Sequence, residues 1–74
     1  MIIYKDIDHD SNITGYTYGD DYIIVEFKHG GKYEYTYQSA GVQHIERMKQ
    51  LADRGDGLNA YINKHVKKNY SKKI

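Results

Sequence analysis

The lysines of the last eleven positions are the residues whose type and spacing most clearly suggest chemistry. Residues 64–74 contain five lysines and no acidic residue, whereas residues 1–63 contain six Lys or Arg and ten Asp or Glu. The formal net charge of +1 therefore divides into −4 for the first part and +5 for the second. Ammonium groups bind phosphates, and an aromatic ring beside them stacks on a base. The sequence therefore predicts a nucleic-acid-binding surface made of Lys64, Lys67, Lys68, Tyr70, Lys72 and Lys73.

A second interpretation of the same lysines is structural. Lysines near the end of a helix interact favourably with its dipole, and they keep a solvated terminus soluble. The segment contains no arginine, so bidentate recognition of guanine is not predicted. The first interpretation predicts weak binding to nucleic acid, and the second predicts none.

Catalytic and metal chemistry has little support in the side-chain spacings. Asp6, Asp8 and Asp10 alternate like calcium ligands, but the glycine and the final glutamate of an EF-hand loop are missing. Gly30–Gly31 and Gly55–Gly57 lack the lysine and hydroxyl of a P-loop, and no serine lies in a nucleophile elbow. We expect a protein that is not an enzyme and needs no metal or cofactor, with an enzyme as the remote alternative. No metal-ligand spacing joins the four histidines, which are His9, His29, His44 and His65.

Size and composition limit the class of protein. A chain of 74 residues forms one domain with a small core, and the absence of cysteine excludes disulfides and zinc–thiolate sites. The longest apolar run, Ile23–Val25, is far shorter than the roughly 20 residues that span a bilayer, and the N-terminus lacks the residue order of a signal peptide. We therefore expect a cytoplasmic protein without membrane association, whose small core would gain from pairing as a homodimer.

Three short segments rich in β-branched and aromatic residues predict the centre of the fold. Gly19–Asp21 and His29–Gly31 separate them, as turns separate the strands of an antiparallel meander. Residues 1–10 are predicted to form an extended N-terminal arm, to which a fourth short strand can belong. The three predicted strands are residues 12–18, 22–28 and 32–38.

The second turn decides which side chains share a face of this sheet, because a change of one residue in loop length reverses every side chain. A loop of His29, Gly30 and Gly31, with Gly31 in the left-handed position, keeps the apolar and tyrosine ladders on one face. A two-residue first turn adds Tyr16 and Tyr18 to that face. The predicted pairs are Lys28 with Lys32, Phe27 with Tyr33, Val25 with Tyr35 and Ile23 with Tyr37.

Two amphipathic helices are predicted after the strands. Ser39 is the predicted N-cap of the first helix, and Gly55 ends it. The second helix begins near Leu58, where Asn59 caps it or hydrogen-bonds the nearby backbone. His65 lies on its apolar stripe and is interpreted as a core histidine. The stripes contain Val42, Ile45, Met48, Leu51 and Ala52 in the first helix, and Leu58, Tyr61, Ile62, His65, Val66 and Tyr70 in the second.

These elements predict an α+β fold. A three-stranded antiparallel meander, with a fourth short N-terminal strand where the arm joins it, is covered on one face by two C-terminal helices. The helices are expected to seal the tyrosine ladder and to leave no cavity in which chemistry could take place.

Several of these segments together resemble the KTSC domain, a small module named for its occurrence at the C-terminus of some lysyl-tRNA synthetases and also found as stand-alone bacterial and phage proteins. The resemblance lies in Ser11-x-Ile13, Ile23-x-Val25-x-Phe27, a glycine turn, Tyr33-x-Tyr35 and, most specifically, Gly55-x-Gly57-Leu58-Asn59-x-x-Ile62. The chain departs from the family at Thr17-Tyr18-Gly19, where a glycine-tyrosine-acid triplet is common, and at Ser39-Ala40-Gly41, where a valine-proline pair is common.

The resemblance implies one KTSC-like domain over residues 11–70, between the arm of residues 1–10 and a basic tail of residues 71–74. The family has no established activity, but its association with a tRNA enzyme favours RNA over DNA as the ligand. The residues assigned to the structural motif are Gly31, Ser39, Gly55, Gly57 and Asn59.

A protein partner is the alternative to nucleic acid. Tyr22, Ile24 and Thr36 are predicted to lie on the sheet face away from the helices, and the edge strands could accept a further strand. The protein would then be a stand-alone inhibitor or adaptor, of the kind that phages encode, and would engage a larger host protein or nucleoprotein complex.

Overall fold

A computed structural model describes residues 1–7 and 12–74 of the chain. The calcium-like spacing at Asp8 and Asp10, together with His9 and Ser11, lies outside the described residues. The strands are β1 (Ile2–Ile3), β2 (Ile13–Tyr18), β3 (Tyr22–Phe27), β4 (Gly31–Thr36) and β5 (Lys72–Lys73). The helices are α1 (Tyr37–Ala40), α2 (Val42–Arg54) and α3 (Leu58–Tyr61), and α3 continues directly into a π-helical turn (Ile62–Val66).

The α+β class is confirmed, but the number of strands is not. The described residues form one antiparallel sheet of five strands in the order β1-β2-β3-β4-β5, where the sequence predicts three or four. β1 is the fourth short N-terminal strand that the arm can supply. β5 was not predicted, because Lys72 and Lys73 have no apolar side chain to mark a strand. Backbone pairing holds them opposite Glu34 and Tyr33 instead.

The turn between β2 and β3 has the predicted two residues. The Gly19 N–H still donates to the Tyr22 carbonyl over 3.2 Å, so Asp20 and Asp21 alone form the turn. Tyr16 then lies opposite Val25 and Tyr18 opposite Ile23. Both tyrosines therefore share the face that carries the apolar ladder, as the sequence predicts.

The turn between β3 and β4 has the predicted length but begins one residue earlier. It consists of residues 28–30 rather than 29–31, so the predicted pairing is wrong by two residues. A shift of two residues preserves the alternation of side chains, and the shared face is retained. The observed register places Glu26 opposite Lys32, whereas the predicted register placed it opposite Glu34, and like charges across a sheet are destabilising. The pairs now include Phe27 with Gly31, Val25 with Tyr33 and Ile23 with Tyr35.

The start of the first helix also differs from the prediction. Thr36 caps the short helix α1, and a reciprocal capping box joins its side chain and backbone to those of Ser39. Ser39 is therefore the third residue of α1 and not the N-cap of the long helix. Gly41, with a φ of 99°, separates α1 from α2, and Gly55, with a φ of 75°, ends α2 as predicted.

The buried side chains of the sheet and of the helices form one hydrophobic core. Ile23, Val25, Ile45, Met48, Leu58 and Val66 are fully buried in it. The tyrosines occupy two kinds of position. Tyr16 and Tyr35 are buried in the core, and Tyr33 and Tyr37 pack at the edge of the core. This core holds α2 against β3 and β4.

The second helix is shorter and less regular than the apolar stripe predicts. α-Helical geometry ends at Tyr61, and the π-helical turn ends at Val66. Tyr70 therefore lies outside the helix, in the segment that leads to β5. The interpretation of His65 as a core histidine is wrong, because its side chain is exposed, whereas Ile62 and Val66 are buried.

Candidate functional site

An open groove of about 230 Å³ lies between the β3–β4 hairpin, the π-helical turn and the segment that precedes β5. We call it the aromatic groove. The side chains that give it its chemistry are Phe27, Tyr33, Tyr35, Asn63, Lys67 and Tyr70, with Asn12 also at its wall. The expectation that the helices leave no cavity is therefore wrong.

Three aromatic rings stand edge to face along this groove. The ring centroids of Phe27 and Tyr33 are 5.7 Å apart at an interplanar angle of 80°, and those of Tyr33 and Tyr70 are 4.8 Å apart at 70°. Edge-to-face packing is one of the two favoured geometries of aromatic pairs. Tyr70 is 41% exposed, so part of its ring remains available to a ligand.

Buried Tyr35 forms part of the groove wall. Burial, with smaller contributions from Tyr33 and Tyr70, raises the pKa of Tyr35 to about 12. The phenol is neutral at physiological pH, as it would be at the ordinary pKa of 10.0, and it adds no negative charge to the groove. A wall of neutral aromatic groups is compatible with a ligand that carries phosphates.

Two lysines bring positive charge to the same groove. Lys67 is one of its lining residues. Lys73 lies opposite Tyr33 in the β4–β5 pair, and its Nζ is 5.7 Å from the centroid of the Tyr33 ring, within cation–π range. Lys72 lies opposite Glu34, and successive residues of a strand point to opposite faces, so Lys72 points away from the groove.

The π-helical turn positions the helical wall of the groove. Ile62 and Val66 are buried, while Asn63 and Lys67 line the groove beside them. π-Helical turns are rare, and they occur frequently at functional sites. The sequence predicted neither the π-helical turn nor the position of Asn63 at the groove.

The predicted nucleic-acid-binding residues are therefore divided by the structure. Lys67 and Tyr70 line the groove, and Lys73 contacts the ring of Tyr33. Lys64 and Lys68 are exposed but are not among the lining residues. Sequence reasoning missed the aromatic wall, because Phe27, Tyr33 and Tyr35 were assigned to a sealed core.

A second group of tyrosines is bound by carboxylates on α2. The Asp53 carboxylate accepts hydrogen bonds from the hydroxyls of Tyr16 (2.9 Å) and Tyr18 (2.7 Å). Burial, followed by the hydrogen bond to Asp53, raises the pKa of Tyr16 to about 12. The hydrogen bond to Asp53, followed by burial, raises the pKa of Tyr18. These contacts fasten β2 to α2.

Glu46 makes the corresponding contact to Tyr37, whose hydroxyl donates to it over 2.6 Å. That bond raises the pKa of Tyr37 to about 12. Lys49 donates to Glu46 over 2.8 Å and to the backbone oxygen of Asp20 over 2.9 Å. The hydrogen bond from Lys49 to Glu46 is the main cause that lowers the pKa of Glu46. This network joins α1, α2 and the first turn, and every group in it has a structural partner.

A third polar cluster joins α2 to the C-terminal helix. His44 Nδ1 lies 2.7 Å from the hydroxyl of Tyr61, and the His65 ring lies beside both, with centroids 5.5 Å from His44 and 4.5 Å from Tyr61. His44 and His65 are 21 positions apart, so no local spacing could have indicated this contact. Within residues 1–7 and 12–74, no group of three or more His, Cys, Asp or Glu side chains is placed to hold a metal ion.

The glycines of the structural motif have backbone roles. Gly31, Gly55 and Gly57 all have φ values between 75° and 81°, in the left-handed region. A side chain at Gly55 would also collide with the Cβ of Lys5. Glycine adopts this backbone conformation without the steric cost that a side chain would add.

The capping role predicted for Asn59 is wrong. Gly57 is the N-cap of α3, and it makes no side-chain capping bond. The hydroxyl of Tyr4, a buried residue of the N-terminal segment, accepts the hydrogen bond from the Leu58 N–H over 3.2 Å. Asn59 is half-buried, one position further along the helix.

The residues predicted to bind a protein lie together on the sheet. Tyr22 is directly opposite Thr36, Ile24 is opposite Glu34, and the side chains of Tyr22, Ile24 and Thr36 are half-buried. The strands that were expected to form open edges, β2 and β4, are each paired with a two-residue strand. Short outer strands limit the addition of a further strand.

No helix of the described residues has the length and apolarity needed to cross a bilayer. Comparisons of the chain with family models, with curated proteins and with solved structures find no match. The resemblance to the KTSC domain therefore stays a prediction.

Proposed function

We propose that this protein is a non-catalytic cytoplasmic module that binds single-stranded nucleic acid, RNA in preference to DNA, in the aromatic groove. The observation that carries the proposal is the juxtaposition of the Tyr33 and Tyr70 rings with Lys67 and Lys73. Aromatic rings stack on unpaired bases, and lysines beside them bind the backbone that joins those bases. The preference for RNA comes from the resemblance to the KTSC domain.

The chemistry of the groove favours single strands over duplexes. A base must leave its stack before it can contact an aromatic ring, and single strands offer such bases without unpairing. Lysine is a point charge that binds phosphate without reading a base, so the proposal predicts weak binding with little sequence preference.

Adjacent lysines of β5 provide a matched test. Lys73 lies on the groove side of the strand and Lys72 on the other, so Lys73→Gln and Lys72→Gln remove the same charge at neighbouring positions. Fluorescence anisotropy with a labelled single-stranded RNA octamer, measured from 20 to 200 mM salt, compares the two variants. We expect Lys73→Gln to weaken binding and to reduce the slope of log K against log salt by about 0.7, and Lys72→Gln to change neither.

Equal effects of the two substitutions would show that net charge alone drives association, and absence of binding at the lowest salt would refute the proposal. A DNA octamer of the same sequence tests the preference for RNA. Double-stranded RNA serves as the control for the preference for unpaired bases.

The second candidate function is that of a protein-binding inhibitor or adaptor that engages a larger host protein or nucleoprotein complex. It is supported by the half-buried Tyr22, Ile24 and Thr36, which lie together on β3 and β4. Ile24→Lys would abolish retrieval of a stoichiometric partner from nuclease-treated lysate if this function is correct, and Tyr70→Ala would not. A homodimer is tested by light scattering of the purified protein.

A further inference from the structure

We propose that His44 and His65 form a binding site for a divalent transition-metal ion such as Zn²⁺ or Ni²⁺. The site is independent of the proposed nucleic-acid function. Imidazole nitrogen is a preferred ligand of both metals, and the two rings come from different helical segments that the fold brings together. Water molecules would complete the coordination, since the described residues place no third His, Cys, Asp or Glu in the cluster.

The separation of the rings agrees with shared coordination. A metal–nitrogen bond of about 2.0–2.1 Å places the centroid of each imidazole about 3.2 Å from the ion, so two rings at a tetrahedral angle have centroids about 5.2 Å apart. The centroids of His44 and His65 are 5.5 Å apart. A small rotation of the exposed His65 side chain covers this difference.

Tyr61 prepares one of the ligands. Its hydroxyl lies 2.7 Å from Nδ1 of His44. In the tautomer with the proton on Nδ1, His44 donates to the phenol oxygen and keeps the lone pair of Nε2 for a metal. Metal-bound histidines usually have such a partner on the second nitrogen, which fixes the ring and increases its basicity. The Tyr61 ring also packs against His65, at a centroid distance of 4.5 Å.

The surrounding charges select the class of metal. Lys64 and Lys68 flank His65 in the sequence, and their positive charge opposes any cation that is held by electrostatics alone. Hard ions such as Mg²⁺ and Ca²⁺ take oxygen ligands, which the two imidazoles do not supply. Transition metals form bonds to neutral imidazole nitrogen, so they are the cations that this pair can hold.

Isothermal titration of the untagged protein with ZnCl₂ and NiCl₂ at pH 7.5 tests the site, with MgCl₂ as the control ion. We expect one Zn²⁺ or Ni²⁺ per chain and no binding of Mg²⁺. His44→Ala and His65→Ala should each lower the affinity at least about 10-fold, and Tyr61→Phe should lower it by about 10-fold through loss of the hydrogen bond to His44. His29→Ala removes an exposed histidine of the β3–β4 turn and should have no effect.

The pH dependence provides an independent readout. Protonated imidazole cannot ligate a metal, so binding should weaken in acid. Circular dichroism confirms that each variant is folded, and His65→Gln is the second variant if His65→Ala is not. Absence of Zn²⁺ and Ni²⁺ binding, unchanged affinity in the folded His65 variant, or loss of binding in His29→Ala would overturn the proposal.

Discussion

Two groups of tyrosines in this small domain share a residue type and differ in their partners. Tyr16, Tyr18 and Tyr37 donate their hydroxyls to carboxylates on α2. Tyr33 and Tyr70 contact each other edge to face at an open groove and have lysines as neighbours. The first group is occupied in holding strands and helices together. The second presents ring surface to solvent, and this difference is the reason for placing function at the groove.

The largest effect is expected from a comparison of Tyr70 with Tyr18, which have similar exposures of 41% and 37%. Tyr70→Ala should weaken binding of single-stranded RNA by about 1–3 kcal/mol, or roughly 5- to 150-fold, because one stacking ring is lost. Tyr18→Ala should leave binding unchanged and lower the melting temperature instead. Anisotropy and thermal melts of both variants measure the two effects, and equal loss of RNA binding would remove the distinction between the groups.

The next effect concerns stability alone. Asp53→Ala removes the acceptor of two tyrosine hydroxyls and should lower the free energy of unfolding by about 1–2 kcal/mol. For a domain of this size, each kcal/mol corresponds to a fall of about 4–8 °C in melting temperature. Asp56→Ala is the matched control, since the Asp56 carboxylate makes a longer, 3.8 Å contact with exposed Arg54. An equal change in both variants would mean that the Asp53 contacts add nothing specific.

The sequence could predict the elements that depend on apolar periodicity. Alternation identified β2, β3 and β4 and their buried face, and helical spacing identified α2 with its stop at Gly55. Apolar periodicity indicates which side chains share a face of the sheet, but it does not fix which residues pair across strands. The predicted β3–β4 pairing was therefore displaced by two residues from the observed one. The opposite charges of Glu26 and Lys32 explain the observed choice.

The parts that could not be predicted depend on contacts between distant positions. β5 forms from two lysines through backbone pairing, which has no side-chain pattern. The apolar stripe also extends to Tyr70, although the helix ends earlier in a π-helical turn. The groove arises because these two departures bring Tyr70 beside Tyr33. Local helix and strand propensities contain no information about this contact between Tyr33 and Tyr70.

The remaining expected effect is a loss of stability in alkali. The folded state raises the pKa of Tyr16, Tyr35 and Tyr37 from 10.0 to about 12, so it favours the neutral phenol. Unfolded tyrosines ionise near pH 10. The stabilisation is therefore complete below pH 10 and is lost as the pH rises from 10 to about 12.

Urea unfolding at pH 9, 10 and 11 measures this loss, and the absorbance of tyrosinate follows ionisation. Tyr16→Phe should show a shallower decline above pH 10 than the unmodified protein, because it lacks one of the groups that the folded state keeps neutral. An identical decline would mean that Tyr16 titrates as freely as an exposed tyrosine.

The hydrogen bond from the Leu58 N–H to the Tyr4 hydroxyl joins residues that are 54 positions apart. Contacts of this separation carry a high entropic cost of closure and slow the search for the native state. The first turn of α3 therefore acquires its cap only when the N-terminal segment has docked.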